Sequence, residues 1–454
     1  MIVPGMSGET ALARTETGGA TATGCSVSRL LVLTNKPIVH RLPEWFPNSR
    51  SEVVLVSTPA ALAASGLDNP DAHFRHVHSV SGFADPSLEE ELFQLCRQFG
   101  VERILSTGER EVLPAARLRE RLGLPGIDVP TATAFRDKFV MKSLVAAAGL
   151  PVAPMRRVDD VAALRDFAAE VGYPVLVKPL DRGGSAGIQV LGDADDLEAV
   201  IGGRGAAAWC APMLAEAWIA GDFYQVNGLM DDGVVVLGQP CYNPYSDWFT
   251  VAFSVPAMSG MLPETDPLAV RLRAATGQVL AALPPVPGVC AFHAEFFHTP
   301  EDRLVLGEIA CRAGGADIVN IHEAVLGVNL HGASLLGQAG RRAPLHYATE
   351  RSRQGFAYFP PARGVLRDIP VRCPLPNVLT YSVTGECGRS YGGADARGPT
   401  VAKMTFTLST SDVRAELRQI EQWWERNTVW ENRTSAVPNG AARLLQPAPD
   451  EEVC

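Results

Sequence analysis

Residues 173–191 read YPVLVKPLDRGGSAGIQVL, and this stretch does more than any other to define the fold. An apolar run at 175–177 and a second one at 188–191 flank the polar glycine-rich loop 181–187, which predicts strand, tight turn, strand. The glycines free the backbone to turn its N–H groups toward one point, and Ser185 adds a hydroxyl group. The loop is therefore a candidate cradle for phosphate oxygens.

Two other interpretations of this loop were weighed. It matches neither the Walker pattern nor GxGxxG, but Gly183–Gly187 does match GxSxG, the nucleophile elbow of hydrolases. An elbow needs a helix directly after the serine, whereas 188–191 continue as a strand, so the elbow is disfavoured. A plain structural hairpin stays open on the loop residues alone.

Two lysines favour the phosphate interpretation. Lys178 ends the buried run of the first strand, and an ammonium group facing a glycine loop is costly unless an anion meets it. A triphosphate would be such an anion. Lys138, at the start of a helix predicted over 137–148, is a second candidate cation, although an isolated lysine is ordinarily a solvated surface group.

Two carboxylates lie inside apolar strands further along the chain. Glu295 is in AFHAEFF and Glu308 is in LVLGEIA, 13 positions later, which is consistent with neighbouring strands that present both groups to one point. Two such carboxylates repel each other unless they share a proton or a cation. Mg²⁺ bridging phosphate oxygens is the economical explanation. The alternative is a solvated strand face.

Three further residues are candidates for contacts with substrate. Arg312 has the fork geometry that suits a carboxylate or a phosphoryl oxyanion. His293 lies two residues before Glu295, on the same strand face, and could donate a hydrogen bond into the site or be structural. Glu109 follows a predicted parallel strand at the end where such sheets bind ligands, or it is an exposed loop carboxylate.

Composition excludes several other classes of protein. The chain has 454 residues, a formal net charge of −10 and 46% hydrophobic residues, which argues for packed domains and against a nucleic-acid partner. No apolar run reaches the roughly 18 residues of a membrane span, and a signal peptide is not apparent, so we expect a cytoplasmic protein. The nine cysteines contain no CxxC pair, which argues against a zinc knuckle or a disulfide framework.

Six motifs in one order resemble the ATP-grasp superfamily of carboxylate ligases, over roughly residues 28–430. They are Lys138, VLVKP, DRGGSAG, EAWIAG, FHAEF and GEIACRAGG. Within the superfamily the pattern is most similar to L-amino-acid ligases and related dipeptide or amide ligases. The resemblance implies an α/β and α+β protein in which a parallel N-terminal α/β domain precedes a two-lobed, lid-bearing ATP-grasp fold, with ATP between the lobes.

The implied organisation has five parts. They are a tail over 1–27, an N-terminal α/β domain over 28–130, an ATP-grasp region over 131–345 with a lid at about 150–215, a C-terminal α+β portion over 346–433, and a tail over 434–454. The cofactors it implies are ATP and Mg²⁺, and the partners are small-molecule carboxylates and amines. A homodimer is compatible with the resemblance.

The resemblance also assigns roles to individual residues. Lys138 and Lys178 would hold the α- and β-phosphates, and main-chain groups of Glu216 and Ile219 would bind the adenine edge. Glu295 and Glu308 would bind Mg²⁺. The loop over the β- and γ-phosphates would comprise Gly183, Gly184, Ser185 and Gly187.

Two positions depart from the family pattern. Ala310 stands where an asparagine usually follows the second metal carboxylate, which puts a second magnesium ion in question. Phe223 stands where an acidic residue often meets the ribose, so that contact would come from elsewhere, for example Asp222.

The expected activity is an ATP-dependent ligase. It would activate an amino-acid-type carboxylate as an acyl phosphate and join it to an amine, with Arg312 positioning the carboxyl group. One alternative keeps this chemistry but uses a carrier-protein thiol or a carbamate-type substrate. Another is a non-catalytic, ATP-binding regulatory protein.

Overall fold

The fold was analysed in a computed structural model of the chain. It describes residues 28–85, 87–183, 185, 187–204, 212–342, 352–395, 398 and 400–434. Within these residues the strands form four sheets, and the α/β and α+β class predicted from the sequence is confirmed. The predicted tail 1–27 and residues 435–454 lie outside the described residues.

The N-terminal unit is a parallel sheet with strand order β3-β2-β1-β4. The strands are β1 (Leu30–Thr34), β2 (Val53–Ser57), β3 (His76–Ser79) and β4 (Arg103–Ser106). The sequence analysis missed β3, because HVHS is a half-exposed edge strand without an apolar run. The helices of this unit and of its exit are α1 (Leu42–Trp45), α2 (Ser49–Glu52), α3 (Pro59–Ser65), α4 (Leu88–Phe99), α5 (Val112–Leu122), α6 (Val129–Ala134) and α7 (Lys138–Ala147), with 3-10 turns at Val39–Arg41 and Pro70–Ala72.

The next unit, which we call the lid, has a small antiparallel sheet with strand order β5-β8-β6-β7. Its elements are β5 (Met155–Val158), α8 (Val161–Val171), β6 (Val175–Pro179), β7 (Gln189–Leu191), α9 (Ala194–Arg204) and β8 (Met213–Ala217). Its own apolar core, which includes Val175, Val177 and Phe167, lies on one face of β6. Because side chains alternate along a strand, Lys178 points to the opposite face.

An eight-stranded antiparallel sheet carries the second half of the site, in the order β13-β12-β9-β10-β11-β14-β18-β16. Its strands are β9 (Asp222–Asp231), β10 (Val234–Asn243), β11 (Ala257–Met261), β12 (Val289–His298), β13 (Leu304–Ala310), β14 (Gln354–Phe359), β16 (Val378–Val383) and β18 (Ala402–Thr407). The helices between them are α10 (Asp247–Phe253), α11 (Pro267–Ala282), α12 (Ile318–Leu326) and α13 (Leu330–Gln338).

The C-terminal portion is continuous with this sheet. β14 pairs with β11, so the predicted boundary at 345 does not coincide with an edge of the sheet. The remaining elements are β15 (Arg363–Asp368), β17 (Ser390–Gly392), α14 (Val413–Asn427) and β19 (Val429–Thr434), of which the three strands form a separate small sheet. The apolar face of α14, with Leu417, Ile420 and Trp424, is buried in the main core.

In the part of the chain that the structure describes, every helix is too short or too polar to cross a bilayer.

Candidate active site

Lys138 joins the glycine loop to the carboxylate strands. The side chain of Asp137 accepts hydrogen bonds from the N–H groups of residues 139 and 140 and so caps α7, which makes Lys138 the first helical residue. Lys138 is buried, and its Nζ donates to the carbonyl of Arg182 at 2.7 Å and lies 3.3 Å from Glu308 Oε2. The structure therefore brings this predicted cation to the loop and to a predicted metal ligand at once.

Lys178 shares a buried carboxylate with a lysine that the sequence analysis missed. Its Nζ lies 2.5 Å from Glu216 Oε2, while Lys142 pairs with Glu216 Oε1. Burial alone would raise the pKa of Glu216, but the two ammonium groups hold it at about 2. Burial lowers the pKa of Lys142 to about 8, whereas Glu216 and Glu308 raise that of Lys178 against the same effect.

Glu216 has a side-chain role in the structure besides the main-chain role that the sequence predicts. The sequence analysis assigned only its main chain, to the adenine edge together with Ile219. The structure places Glu216 within β8 and Ile219 in the half-buried segment after that strand. The adenine contact of both residues stays a prediction, while the side chain of Glu216 is an ion-pair centre.

The glycine loop is the tight turn predicted from the sequence. Ser185 and Gly187 adopt φ of +56° and +81°, and the N–H of Ile188 donates to the carbonyl of Ser185 at 3.3 Å. A Cβ at Gly187 would lie 3.1 Å from Pro179 Cγ, so both the backbone conformation and the space favour glycine there. Gly184 and Ala186 lie outside the described residues.

The loop also reaches the N-terminal unit. A Cβ at Gly183 would lie 3.6 Å from Glu109 Cγ, and the guanidinium group of Arg136 donates to the carbonyl of Asp181. The loop, the end of β4 and the segment before α7 therefore border one site.

Glu295 and Glu308 are direct cross-strand partners on β12 and β13. This is the arrangement that their spacing predicted, and both side chains remain partly accessible, at 24% and 19%. Burial opposes ionisation of Glu295, but the hydrogen bond from His293 and the charges of Lys178 and Arg312 lower its pKa overall. Glu295 thus presents a partly accessible carboxylate, and its role as a Mg²⁺ ligand stays a prediction.

His293 positions Glu295, and both ring nitrogens are engaged in doing so. Nε2 lies 3.2 Å from Glu295 Oε1, and Nδ1 lies 2.7 Å from Asn227 Oδ1 on β9. The sequence analysis placed His293 on the face of Glu295 and expected it to donate into the site. The donation goes to the carboxylate, which is a positioning contact, and the expected catalytic role of His293 stays a prediction.

Asp247, at the start of α10, is a third carboxylate of this region that sequence reasoning did not single out. Its side chain is exposed, but the surrounding protein and the charge of Glu295 both raise its pKa, to about 6. Negative charge is therefore concentrated in this region.

Arg312 is held by Glu109. Arg312 Nε lies 2.5 Å from Glu109 Oε2, and Arg136 Nη1 lies 2.5 Å from Glu109 Oε1. Burial alone would raise the pKa of Glu109, but Arg312 and Arg136 hold it at about 2. Glu109 is therefore a member of the site, as its place after β4 suggested, and the exposed-loop alternative is wrong.

The two departures from the family pattern have structural counterparts. Ala310 is the cross-strand partner of His293 and is buried, so the imidazole lies beside the position of the usual asparagine. Phe223 is buried against Phe297, with ring centroids 5.2 Å apart. Asp222 is bound by both terminal nitrogens of Arg414, at 2.8 and 2.6 Å, so the suggestion that it binds the ribose is not supported.

The sequence signals for the missed residues were weak but present. Lys142 is one helical turn after Lys138 on the same face of α7. Asn227 is the partner of His293 in strand register, and that register cannot be read from one sequence. Arg136 precedes the helix cap and would pass as an ordinary surface arginine.

The carboxylates and lysines of the site fit magnesium and a nucleoside triphosphate. In the described part of the chain, no group of three or more His, Cys, Asp or Glu side chains forms a ready-made metal site. A carboxylate pair of this kind suits Mg²⁺, which takes one or two carboxylates and completes its octahedron with phosphate oxygens and water. Lys138 and Lys178 lie next to that pair, where they would meet the phosphates.

Comparison with known proteins shows similarity to amino-acid ligases. Residues 137–216 match the family model described as the carbamoyl-phosphate synthase L chain, ATP binding domain. The chain is 25% identical over 306 residues to an L-arginine-specific L-amino acid ligase of Bacillus subtilis, which covers 64% of this chain and 71% of that one. It is 26% identical over 190 residues to the alanine–anticapsin ligase of Bacillus subtilis strain 168, covering 38% of this chain and 40% of that one.

A solved structure gives the same answer for the fold. The L-amino acid ligase from Bacillus licheniformis aligns with a TM-score of 0.62 at 17% identity, over 89% of this chain and 99% of that one. The chain is therefore similar to ATP-grasp ligases in part of its sequence and in its fold. The relatives are amino-acid ligases, which agrees with the carboxylate–amine ligase class that the motifs predict.

Proposed function

We propose that this enzyme activates an amino-acid-type carboxylate as an acyl phosphate and joins it to an amine or a second amino acid. A carboxylate oxygen attacks the γ-phosphorus of ATP, the bond to the β-phosphate oxygen breaks, and ADP leaves. The amine then attacks the acyl carbon, phosphate leaves, and the amine loses its proton. The product would serve small-molecule or peptide natural-product biosynthesis.

The residues divide this work between binding charge and positioning. Lys138 and Lys178 would bind phosphate oxygens, and the 183–187 loop would cover them. Glu295 and Glu308 would hold Mg²⁺, which when bound neutralises charge on the transferring phosphoryl group. Phosphoryl transfer requires positioning and electrostatic stabilisation more than a protein nucleophile, which suits this set of residues.

Arg312 would bind the carboxylate or the oxyanion formed from it. The ion pair with Glu109 fixes the plane of its guanidinium group, and Arg136 fixes Glu109 in turn. A pre-oriented arginine does not have to be ordered again when the substrate arrives, which lowers the barrier to reaction.

The observation that carries the proposal is the adjacency of opposite charges. Lys138 lies 3.3 Å from Glu308, Glu308 is the strand partner of Glu295, and Lys178 and Arg312 act electrostatically on both carboxylates. This arrangement suits a polyanion and a divalent cation bound side by side. A regulatory protein without catalysis has no evident need for Arg312 and Glu109 beside such a pair.

The test is nucleotide product analysis. Purified enzyme with Mg²⁺, ATP and pooled amino acids should release ADP and phosphate only when amino acids are present, and Glu308→Gln should abolish the release. The matched control is Glu264→Gln, which removes an exposed carboxylate from a loop outside the site.

Three other outcomes contradict the proposal. Release of AMP and pyrophosphate excludes an acyl phosphate. Intact ATP binding without amino-acid-dependent turnover contradicts an amine acceptor and favours a carrier thiol. Equal activity of the Glu308→Gln and Glu264→Gln variants removes Glu308 from the metal site.

A further inference from the structure

Lys142 is a fully buried cation for which the proposed reaction has no use. Its side chain is 1% exposed, against 11% for that of Lys178, although both ammonium groups pair with the same carboxylate. Burying an ammonium group is expensive unless a counter-charge compensates it, and Glu216 supplies one. A structural ion pair requires one lysine for one carboxylate. Glu216 is paired with two lysines, so this cluster carries one positive charge more than such a pair requires.

The two lysines differ in what they can reach. Lys178 ends β6 beside the glycine loop, and its charge is coupled to Glu308 and Glu295 as well as to Glu216. Lys142 contacts the other oxygen of Glu216 from inside α7. Only Lys178 is therefore placed to exchange its partner for a ligand.

Such an exchange has an electrostatic consequence for Glu216. If Lys178 turned to a phosphate and Glu216 had no other partner, a buried carboxylate would be left uncompensated, which is strongly unfavourable. With Lys142 in place, Glu216 keeps a cation throughout, and Lys178 is free to move.

We propose that Lys142 is a positioning residue of the nucleotide site, which retains the Glu216 carboxylate when Lys178 transfers from that carboxylate to a nucleotide phosphate. This inference rests on the proposed nucleotide role of Lys178. Lys142 itself touches no ligand. Its charge determines how easily Lys178 can leave Glu216 and bind a phosphate.

The experiment measures binding of ADP with Mg²⁺ by calorimetry in the full chain. Lys142→Met keeps the length of the side chain and removes the charge, so Lys178 should stay with Glu216 and Kd should rise by about 10- to 100-fold, the range expected for losing a charged contact. The double variant Lys142→Met with Glu216→Gln removes cation and anion together. It should return Kd to within about threefold of the wild type, because a buried neutral amide no longer holds Lys178.

A merely structural role of Lys142 predicts a different pattern. The thermal midpoint would fall in Lys142→Met while Kd stayed unchanged, and the double variant would restore no affinity; this result overturns the inference. If Lys142→Met does not fold, the double variant is compared with Glu216→Gln alone. Equal affinities support action through Glu216, and tenfold weaker binding by the double variant contradicts it.

Failure of the proposed function itself looks different. In that case the wild-type chain would bind no ADP with Mg²⁺, whatever the variants do. Normal wild-type binding with a normal Lys142→Met variant rejects only the inference about Lys142.

Discussion

The two sides of the site balance their charges differently. On α7 and the lid, which form the cationic side, Lys142 and Lys178 pair with Glu216 in the buried interior, and Lys138 lies 3.3 Å from Glu308. On the carboxylate side, β12 and β13 place Glu295 opposite Glu308, and the surrounding protein together with the charge of Glu295 raises the pKa of Asp247. In the proposed function the cationic side would bind phosphates, whereas the carboxylate side would need a divalent cation to balance its charge.

The largest expected effect comes from breaking the carboxylate side alone. Glu295→Gln removes an anionic ligand and the acceptor of the His293 hydrogen bond, so turnover should fall by about 10³-fold. Binding of metal-free ADP, measured by calorimetry, should stay within about threefold, because the lysines are untouched. Equal losses in binding and turnover would show that the two sides are not separable.

A smaller effect is expected from loosening Arg312. Glu109→Gln leaves the guanidinium groups of Arg312 and Arg136 without their shared anion, so kcat/KM for the carboxylate substrate should fall by about 10- to 100-fold. The KM for ATP should not change. Steady-state kinetics with each substrate varied in turn checks this, and a change confined to the KM for ATP would place Glu109 in the nucleotide site instead.

The smallest effect concerns stability in acid. Burial lowers the pKa of His322 to about 4, and burial with the charges of Lys36 and Arg312 lowers that of His331 to about 3. Both values lie below the unfolded value of about 6.5, so the unfolded chain binds more protons and stability falls as pH drops below about 6.5. Denaturant unfolding between pH 7 and 4 should show this loss.

The matched variants are His331→Phe, which should weaken the acid dependence, and the exposed His40→Asn, which should leave it unchanged. If the free energy of unfolding fell equally steeply with decreasing pH in all three proteins, the loss of stability could not be assigned to buried neutral histidines.

Sequence reasoning succeeded where a local pattern carries the structure. The strand around 175–177, the helix predicted over 137–148 and the tight turn of the glycine loop are all present, and each follows from residues a few positions apart. The pairing of Glu295 with Glu308 followed from their spacing on two predicted strands that are adjacent in the chain.

What it missed depends on contacts between distant segments. The pairs Lys142–Glu216 and Arg312–Glu109 join residues 74 and 203 positions apart, and no local pattern reports such contacts. The partner of Asp222 is on α14, 192 residues away, and no local sequence pattern reports that ion pair.

The central claim is that the lysines and the carboxylates act together on one phosphoryl group. Isotope transfer from the substrate tests this claim most directly. A carboxylate substrate labelled with oxygen-18 at both oxygens is turned over with Mg²⁺ and ATP, and the products are analysed by mass spectrometry. The account predicts one labelled oxygen in the released phosphate and one in the amide. Label in AMP, or phosphate free of label, would contradict the acyl-phosphate route and the joint role of the lysines and carboxylates.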